Sequence, residues 1–220
     1  MQIYGMNTAM SYAKLPMMNP TELDDYLRDS IRMEGEYLEG EEKRNSRMTN
    51  LSSVAIGTGH DTVLQGIVVQ FVVDFTIKAW TEAQRYHFLD FISSCSTMHA
   101  LQKIDVELAY IEYVDPRIIE IMKELIQKYN QTKDIKDFLV MAYSNPCGMK
   151  LSAAMTTNYR QLKTIYWQRK NHKLPEWREF CKWISTLPHF KEWCIDSCQL
   201  PPLNASHLKR GIEKAFSGCS

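Results

Sequence analysis

The run IVVQFVVDFTI, from Ile67 to Ile77, is the longest apolar stretch of the chain, and it limits the folds open to it. Val, Ile and Phe favour extended backbone, so Val63 to Ile77 reads as one strand or two, interrupted by Gln70 and Asp74. The same interruptions and its short length exclude a bilayer span. Helices surround it. NPTELDDYLRDSIRM opens with Asn19-Pro20-Thr21, carries acids at Glu22, Asp24 and Asp25, and repeats apolar residues at Leu23, Tyr26, Leu27, Ile31 and Met33, the pattern of a capped amphipathic helix. The charged stretch after it, Glu41 to Arg47, reads as a solvated face. Asp115-Pro116 starts a second helix, and Leu101 to Val114 fits strand or helix equally. Asn145 to Gly148 is a turn, a helix runs from about Thr157, and another follows Leu174 with Pro175 in its first turn. Pro201-Pro202 breaks the C-terminal region before a short basic helix.

With no internal repeat and no low-complexity linker, these segments predict one α+β domain over residues 1–220, a mixed sheet with flanking helices. Residues 1–50 form its N-terminal helical part and 195–220 its tail. A hydrophobic share of 45% is enough for a core. Lys+Arg and Asp+Glu are both 26, so no general field draws the chain to nucleic acid or anionic membrane, and an anion site has to be local. The six cysteines are scattered, and only Cys194 and Cys198 share a helical spacing; His189 and His207 do not complete a zinc pattern with them, so no metal is expected. Free thiols and an N-terminus without a signal-peptide pattern predict a cytoplasmic protein.

TTNYRQLKTIYWQR, from Thr156 to Arg169, holds the most informative polar residues. At about 100° per residue, Arg169 returns to within about 20° of Asn158, in line with Leu162 and Ile165, while Arg160 and Trp167 point the other way. A guanidinium among Leu and Ile is costly unless it meets a carboxylate or a phosphate, because it cannot shed its charge. Either Arg169 reaches solvent, pairs with Glu176 or Glu179, or faces a bound anion. The pattern suggests a helix set between two polar sites, as at a subunit interface. A stacking surface for single-stranded nucleic acid over Tyr159 to Arg169 is the alternative, and zero net charge counts against it.

The same residues resemble the C-terminal helix of flavin-dependent thymidylate synthases, which carries N-x-R-x-L, an arginine eleven residues after the asparagine, and a trailing His and Trp. Asn158, Arg160, Leu162 and Arg169 fall in register, and His172 and Trp177 follow with a shift of about one residue. GTGHDTVLQG, from Gly57, resembles the family's G-H-x-[ST]-x-x-E-H: His60 and Thr62 match, and Gln65 and Gly66 stand in place of Glu-His. In the arginine-rich signature between them, Arg85 and His87 occupy the positions of two arginines and Ser96 matches its serine, whereas Ser93-Ser94 replaces Asn-Glu and Met98 the last arginine. Ala142 stands where a further substrate arginine is expected. The resemblance covers about Leu51 to Phe180.

The resemblance implies FAD as cofactor, held by His60, Thr62, Arg85, His87, Asn158, Arg160 and His172. Ser96 and Arg169 would contact a pyrimidine deoxynucleotide, Arg169 as the catalytic residue. The implied reaction is methylation of dUMP to dTMP with methylenetetrahydrofolate and NADPH, in a homotetramer with shared active sites and no cysteine nucleophile. Two missing arginines, at about 1.5–3 kcal/mol for each charge-assisted contact, would weaken nucleotide binding unless His99, Lys103 or Arg117 replaces them. Hydroxymethylation of a pyrimidine nucleotide, or flavin and nucleotide binding without turnover, are the alternatives.

Overall fold

The computed structural model describes residues 1–15, 18, 41–56 and 59–196. The helix expected from Asn19-Pro20-Thr21, the basic C-terminal helix, Cys198 and Cys219 lie outside the described residues.

The chain opens with a short strand, β1 (Gln2–Tyr4), and α1 (Met6–Tyr12). Glu41–Ser52 forms α2, and a 3-10 helix follows at His60–Gly66. That segment takes the first residues of the predicted extended run, because Asp61 and Leu64 turn inward, and β2 begins only at Val68. β2 (Val68–Thr76) alternates as a half-buried strand should: Val69, Phe71 and Phe75 are buried, and Val72 and Asp74 are exposed. Thr76 ends it and caps α3 (Ile77–Ala83), its hydroxyl accepting from Ala79 N at 3.2 Å. β3 (Asp90–Ser94) is exposed along its whole length.

The ambiguous Leu101 to Val114 resolves into single helical turns at Leu101–Lys103 and Val106–Ala109, then one bridge from Tyr110 to Met149. α4 (Pro116–Thr132) starts where Asp115-Pro116 predicts, with Asp115 as its cap. α5 (Ile135–Ser144) pairs with it as a hairpin around Met122, Ile126 and Met141. β4 (Lys150–Asn158) then runs into α6 (Tyr159–Arg169), and α7 (Pro175–Ile184) and a π-helical turn at Lys191–Asp196 complete the described chain.

The sheet order is β1-β2-β4-β3. The expected α+β class is the class observed, and every strand pairing among the described residues is antiparallel. β2 and β4 register over their full lengths, Val68 opposite Asn158 and Thr76 opposite Lys150. Tyr159 N donates to Ile67 O at 3.0 Å and Ile77 N to Met149 O at 2.9 Å, so the odd-numbered residues of β2 direct their backbone groups at β4. The even-numbered ones face β1, which pairs only with Val68 to Gln70. Among the described residues, the backbone of Val72 and Asp74 is therefore left at an open edge.

α6 and α7 cover the odd-residue face. Phe75 meets Trp80, Trp177 and Phe180 at ring-centroid distances of 4.9–5.5 Å, and Trp177 is wholly buried. Truncating such an aromatic costs about 3–5 kcal/mol. Leu151 packs against both this core and the smaller one under α4 and α5.

Two glycines adopt left-handed backbone, Gly5 at φ 74° and Gly59 at φ 85°. A Cβ on Gly5 would sit 2.2 Å from Gly66 O, whereas one on Gly59 would meet nothing within 4 Å. Gly59→Ala is therefore expected to cost about 1–2 kcal/mol, the conformational penalty alone. Gly5→Ala is expected to cost clearly more, which urea unfolding of the two variants side by side would measure.

Candidate functional site

α6 is the first element after the sheet, and the junction is one residue. Asn158 closes β4 and caps the helix, its Oδ1 accepting from Gln161 N at 2.9 Å. Tyr159, Leu162, Lys163 and Ile165 are buried, so the helix meets protein on more than the one apolar side that the wheel marks.

On one side lies a charge cluster that the sequence reading did not include. Lys163 is fully buried, and its Nζ donates to Ser52 O at 2.7 Å, Val54 O at 2.8 Å and Asp61 Oδ2 at 3.3 Å. Asp61, 1% exposed, accepts at Oδ1 from Arg160 Nε at 2.9 Å. Asp61 occupies the unspecified position between His60 and Thr62, and three residues per turn send these three side chains in different directions. Asp61 goes inward; His60 and Thr62 stay exposed. No motif marks Lys163, whose position next to Leu162 is an ordinary place for a surface lysine.

At the far end of α6, Arg169 is poorly exposed, as its place in line with Leu162 and Ile165 predicts. Its carboxylate partner is neither Glu176 nor Glu179 but Glu82 on α3, with Nη1 2.9 Å from Oε2. Glu176 instead accepts from the Thr76 hydroxyl, and Glu179 pairs with Lys182 at 2.6 Å. Arg169 Nε donates to the Tyr86 hydroxyl at 2.8 Å, and the guanidinium lies 4.9 Å from the Trp177 ring centroid. His172 stands beside it, Nε2 2.8 Å from Arg169 Nη1 and 3.3 Å from Glu82 Oε2. Its Nδ1 accepts from Leu174 N at 3.2 Å. Both ring nitrogens are thus engaged.

A cleft of about 470 Å³ opens beside this cluster, lined by Arg85, Tyr86, His87, Phe88, Gln161, Thr164, Gln168 and Arg169. Three expected site residues, Arg85, His87 and Arg169, therefore share one cleft, while Arg160 is bonded to Asp61, with His60 and Thr62 flanking Asp61 in the chain. Ser96 stays apart: it is exposed and precedes the helical turn Thr97–Ala100, beside a different cleft that includes Ser94, Cys95 and Thr97. Met98 is exposed and Ala142 packs against the smaller core. Lys103 is exposed, and Arg117 is held by Asp115 through Nη2 at 2.7 Å, so its fork is committed to its own helix cap.

The thiols divide by exposure. Cys95 and Cys147 are exposed, and Cys181 and Cys194 are buried, and no disulfide joins any of the four among the described residues. Burial pushes the Cys181 thiol up to about 11, against a lowering contribution from Arg169. A thiol raised in the folded state contributes stability that is present below its ordinary pKa of about 8.5 and lost as pH rises through the folded value. Cys95 and Cys147 are expected to alkylate readily at pH 8 with Cys181 protected, as peptide-resolved mass spectrometry would read. Melting temperature is expected to fall between about pH 8.5 and 11, less steeply in Cys181→Ala.

No protein-family model and no curated protein matches the chain in sequence. Solved structures match it in fold. A crystal structure of the flavin-dependent thymidylate synthase ThyX of Helicobacter pylori, complexed with FAD and dUMP, superposes with a TM-score of 0.63 at 14% identity, over 91% of this chain and 97% of that one. A second structure of the same organism's ThyX with FAD and dUMP gives the same score and identity, over 90% and 95%. The chain has the ThyX fold.

Proposed function

We propose that the protein is a flavin-dependent, ThyX-like enzyme that binds FAD and a pyrimidine deoxynucleotide and methylates the pyrimidine, dUMP to dTMP, with methylenetetrahydrofolate and NADPH as co-substrates. The observation that carries this reading is a helix in a ThyX fold with a differently anchored arginine toward each end, Arg160 bonded to Asp61, the residue between His60 and Thr62, and Arg169 in one cleft with Arg85 and His87. The H. pylori enzyme with this fold is complexed with FAD and dUMP. FAD, when bound, supplies the redox chemistry that moves a one-carbon unit and reducing equivalents; the chain supplies grip, orientation and charge.

The residues fit an anionic flavin nucleotide. Arg160 is bonded only through Nε among the described residues, so its two terminal nitrogens remain as donors. His60, Thr62, Arg85 and His87 are exposed and able to donate. Asn158 spends its oxygen on the helix cap, which leaves the amide Nδ2 to donate. His172, 2.8 Å from Arg169 Nη1, would act toward the cofactor from beside Arg169. Arg169 keeps Nη2 without a partner among the described residues, the group through which we propose it contacts the pyrimidine or its phosphate.

Ser96 lies away from the Arg85 cleft, and an assembly of copies is what would bring it to a nucleotide. We propose a homotetramer with shared sites. Phe88, Phe91 and Ile92 are exposed at or next to β3, and Ile135, Leu139, Val140 and Tyr143 on α5, more apolar surface than scattered single residues leave. No described helix is long and apolar enough to cross a membrane, and free thiols suit a reducing cytoplasm.

One observation favours a second reading. Glu82 already offsets the charge of Arg169, and Met98 and Ala142 add none, so of the two arginines in that cleft only Arg85 has no carboxylate partner among the described residues. Binding of another pyrimidine nucleotide, or flavin binding without thymidylate synthesis, follows from that.

FAD titration is expected to give a flavin spectrum and micromolar binding, with Arg160→Ala weakening it about 10- to 100-fold while leaving the melting temperature near wild type. Absence of flavin binding overturns the reading. Calorimetry of dUMP, dCMP and dTMP on the flavin-loaded protein separates the two versions: tight dUMP binding lost in Arg169→Ala supports dUMP methylation, and its absence supports the second reading. Analytical ultracentrifugation is expected to find a tetramer at micromolar concentration; a monomer contradicts the shared-site assembly.

A further inference from the structure

We propose that Asp61 and Lys163 are positioning residues, which lock Arg160 before any ligand arrives so that its two terminal nitrogens point outward toward an anion. The inference rests on the reading above, that the anion at Arg160 belongs to FAD.

The argument starts from a count of donors and acceptors. An ammonium has three N–H bonds to give, and Lys163 uses all of them, on Ser52 O, Val54 O and Asp61 Oδ2. Ser52 and Val54 lie at the end of α2 and Asp61 in the 3-10 helix, so one buried cation ties two segments to α6. Asp61 needs nothing more to balance Lys163, since the pair is neutral. Yet its second oxygen takes Arg160 Nε, and the cluster becomes two cations on one carboxylate.

The surplus charge has a defined place. Asp61 and Lys163 are buried, at 1% and 0% exposure of their side chains, whereas that of Arg160 is 28% exposed. The positive excess is therefore carried to the surface by Arg160. A carboxylate that serves only to neutralise arginine commonly takes two parallel bonds from the guanidinium. Here it takes Nε alone and leaves the edge with Nη1 and Nη2, which have no partner among the described residues. That single bond fixes the plane of the group without consuming the edge suited to a bidentate hold on phosphate. Lys163 in turn makes Asp61 immovable. Ordering of the arginine is thus completed in the fold and not charged to the binding step.

The test is a double-mutant cycle on FAD affinity, with melting temperature followed in parallel. Asp61→Leu/Lys163→Met removes both buried charges together, a replacement that buried ion pairs commonly tolerate. It is expected to fold and to bind FAD about as weakly as Arg160→Ala, about 10-fold or more below wild type. Adding Arg160→Ala to it is expected to cause little further loss, since the arginine no longer has its anchor. If Arg160→Ala weakens binding equally in both backgrounds, Asp61 and Lys163 only support the fold and the inference is overturned.

A measurement on the wild type stands independent of whether the double variant folds. The Arg160 Nε–H resonance, identified by its loss in Arg160→Lys, is expected to be slow-exchanging in the FAD-free protein. A freely exchanging signal that slows only on adding FAD overturns pre-positioning and leaves FAD binding intact. A wild type that does not bind FAD at all overturns the flavin reading and this inference with it.

Discussion

The pairing of β2 with β4 decides where everything else stands. Its nine-residue register runs without a break, ends with Val68 opposite Asn158, and continues as one more backbone bond, Tyr159 N to Ile67 O. α6 therefore starts at a point fixed by the sheet, and Asn158 belongs to both elements. A one-residue slip of β4 would turn its side chains to the other face and rotate α6, carrying Arg160 and Arg169 away from Asp61 and Glu82. The charged clusters do not create this arrangement. They are satisfied because the sheet delivers the helix in the right rotation.

The elements legible in the sequence were those with their own local signals. Asp115-Pro116 and Pro175 mark real helix starts, and Val, Ile and Phe mark β2. β4 was not legible. KLSAAMTTN has little intrinsic preference for strand, and its extended form comes from the partners on either side; only the inward spacing of Ala153, Met155 and Thr157 reveals it. The α6 start, expected near Thr157, moves to Tyr159 because that strand claims the intervening residues.

Candidate-site residues divide in the same way. Asn158, Arg160 and Arg169 were found because their spacing along one helix is a local property. Their partners Asp61, Glu82 and Tyr86 come from elements distant in sequence, and Lys163, a buried cation beside Leu162, runs against the usual rule that lysines stay outside. Arg169 also shows how little a residue's alignment to a motif says about its electrostatic freedom. Held by Glu82 and Tyr86 over Trp177, it is a rigid donor with most of its charge already answered.

The edge of β2 beyond β1 has a consequence of its own. At Val72 and Asp74 the backbone groups are turned outward with no strand paired to them among the described residues, and the sequence there, VVQFVVDFT, suits the pairing of a foreign strand. Asp74 is its one charge, exposed and bonded to Ser152 of β4. A second molecule zipping along this edge would have to dehydrate that carboxylate or lay its own acid beside it. Asp74 is thus the one charge in this strand that opposes such pairing, while the strand's other face builds the core.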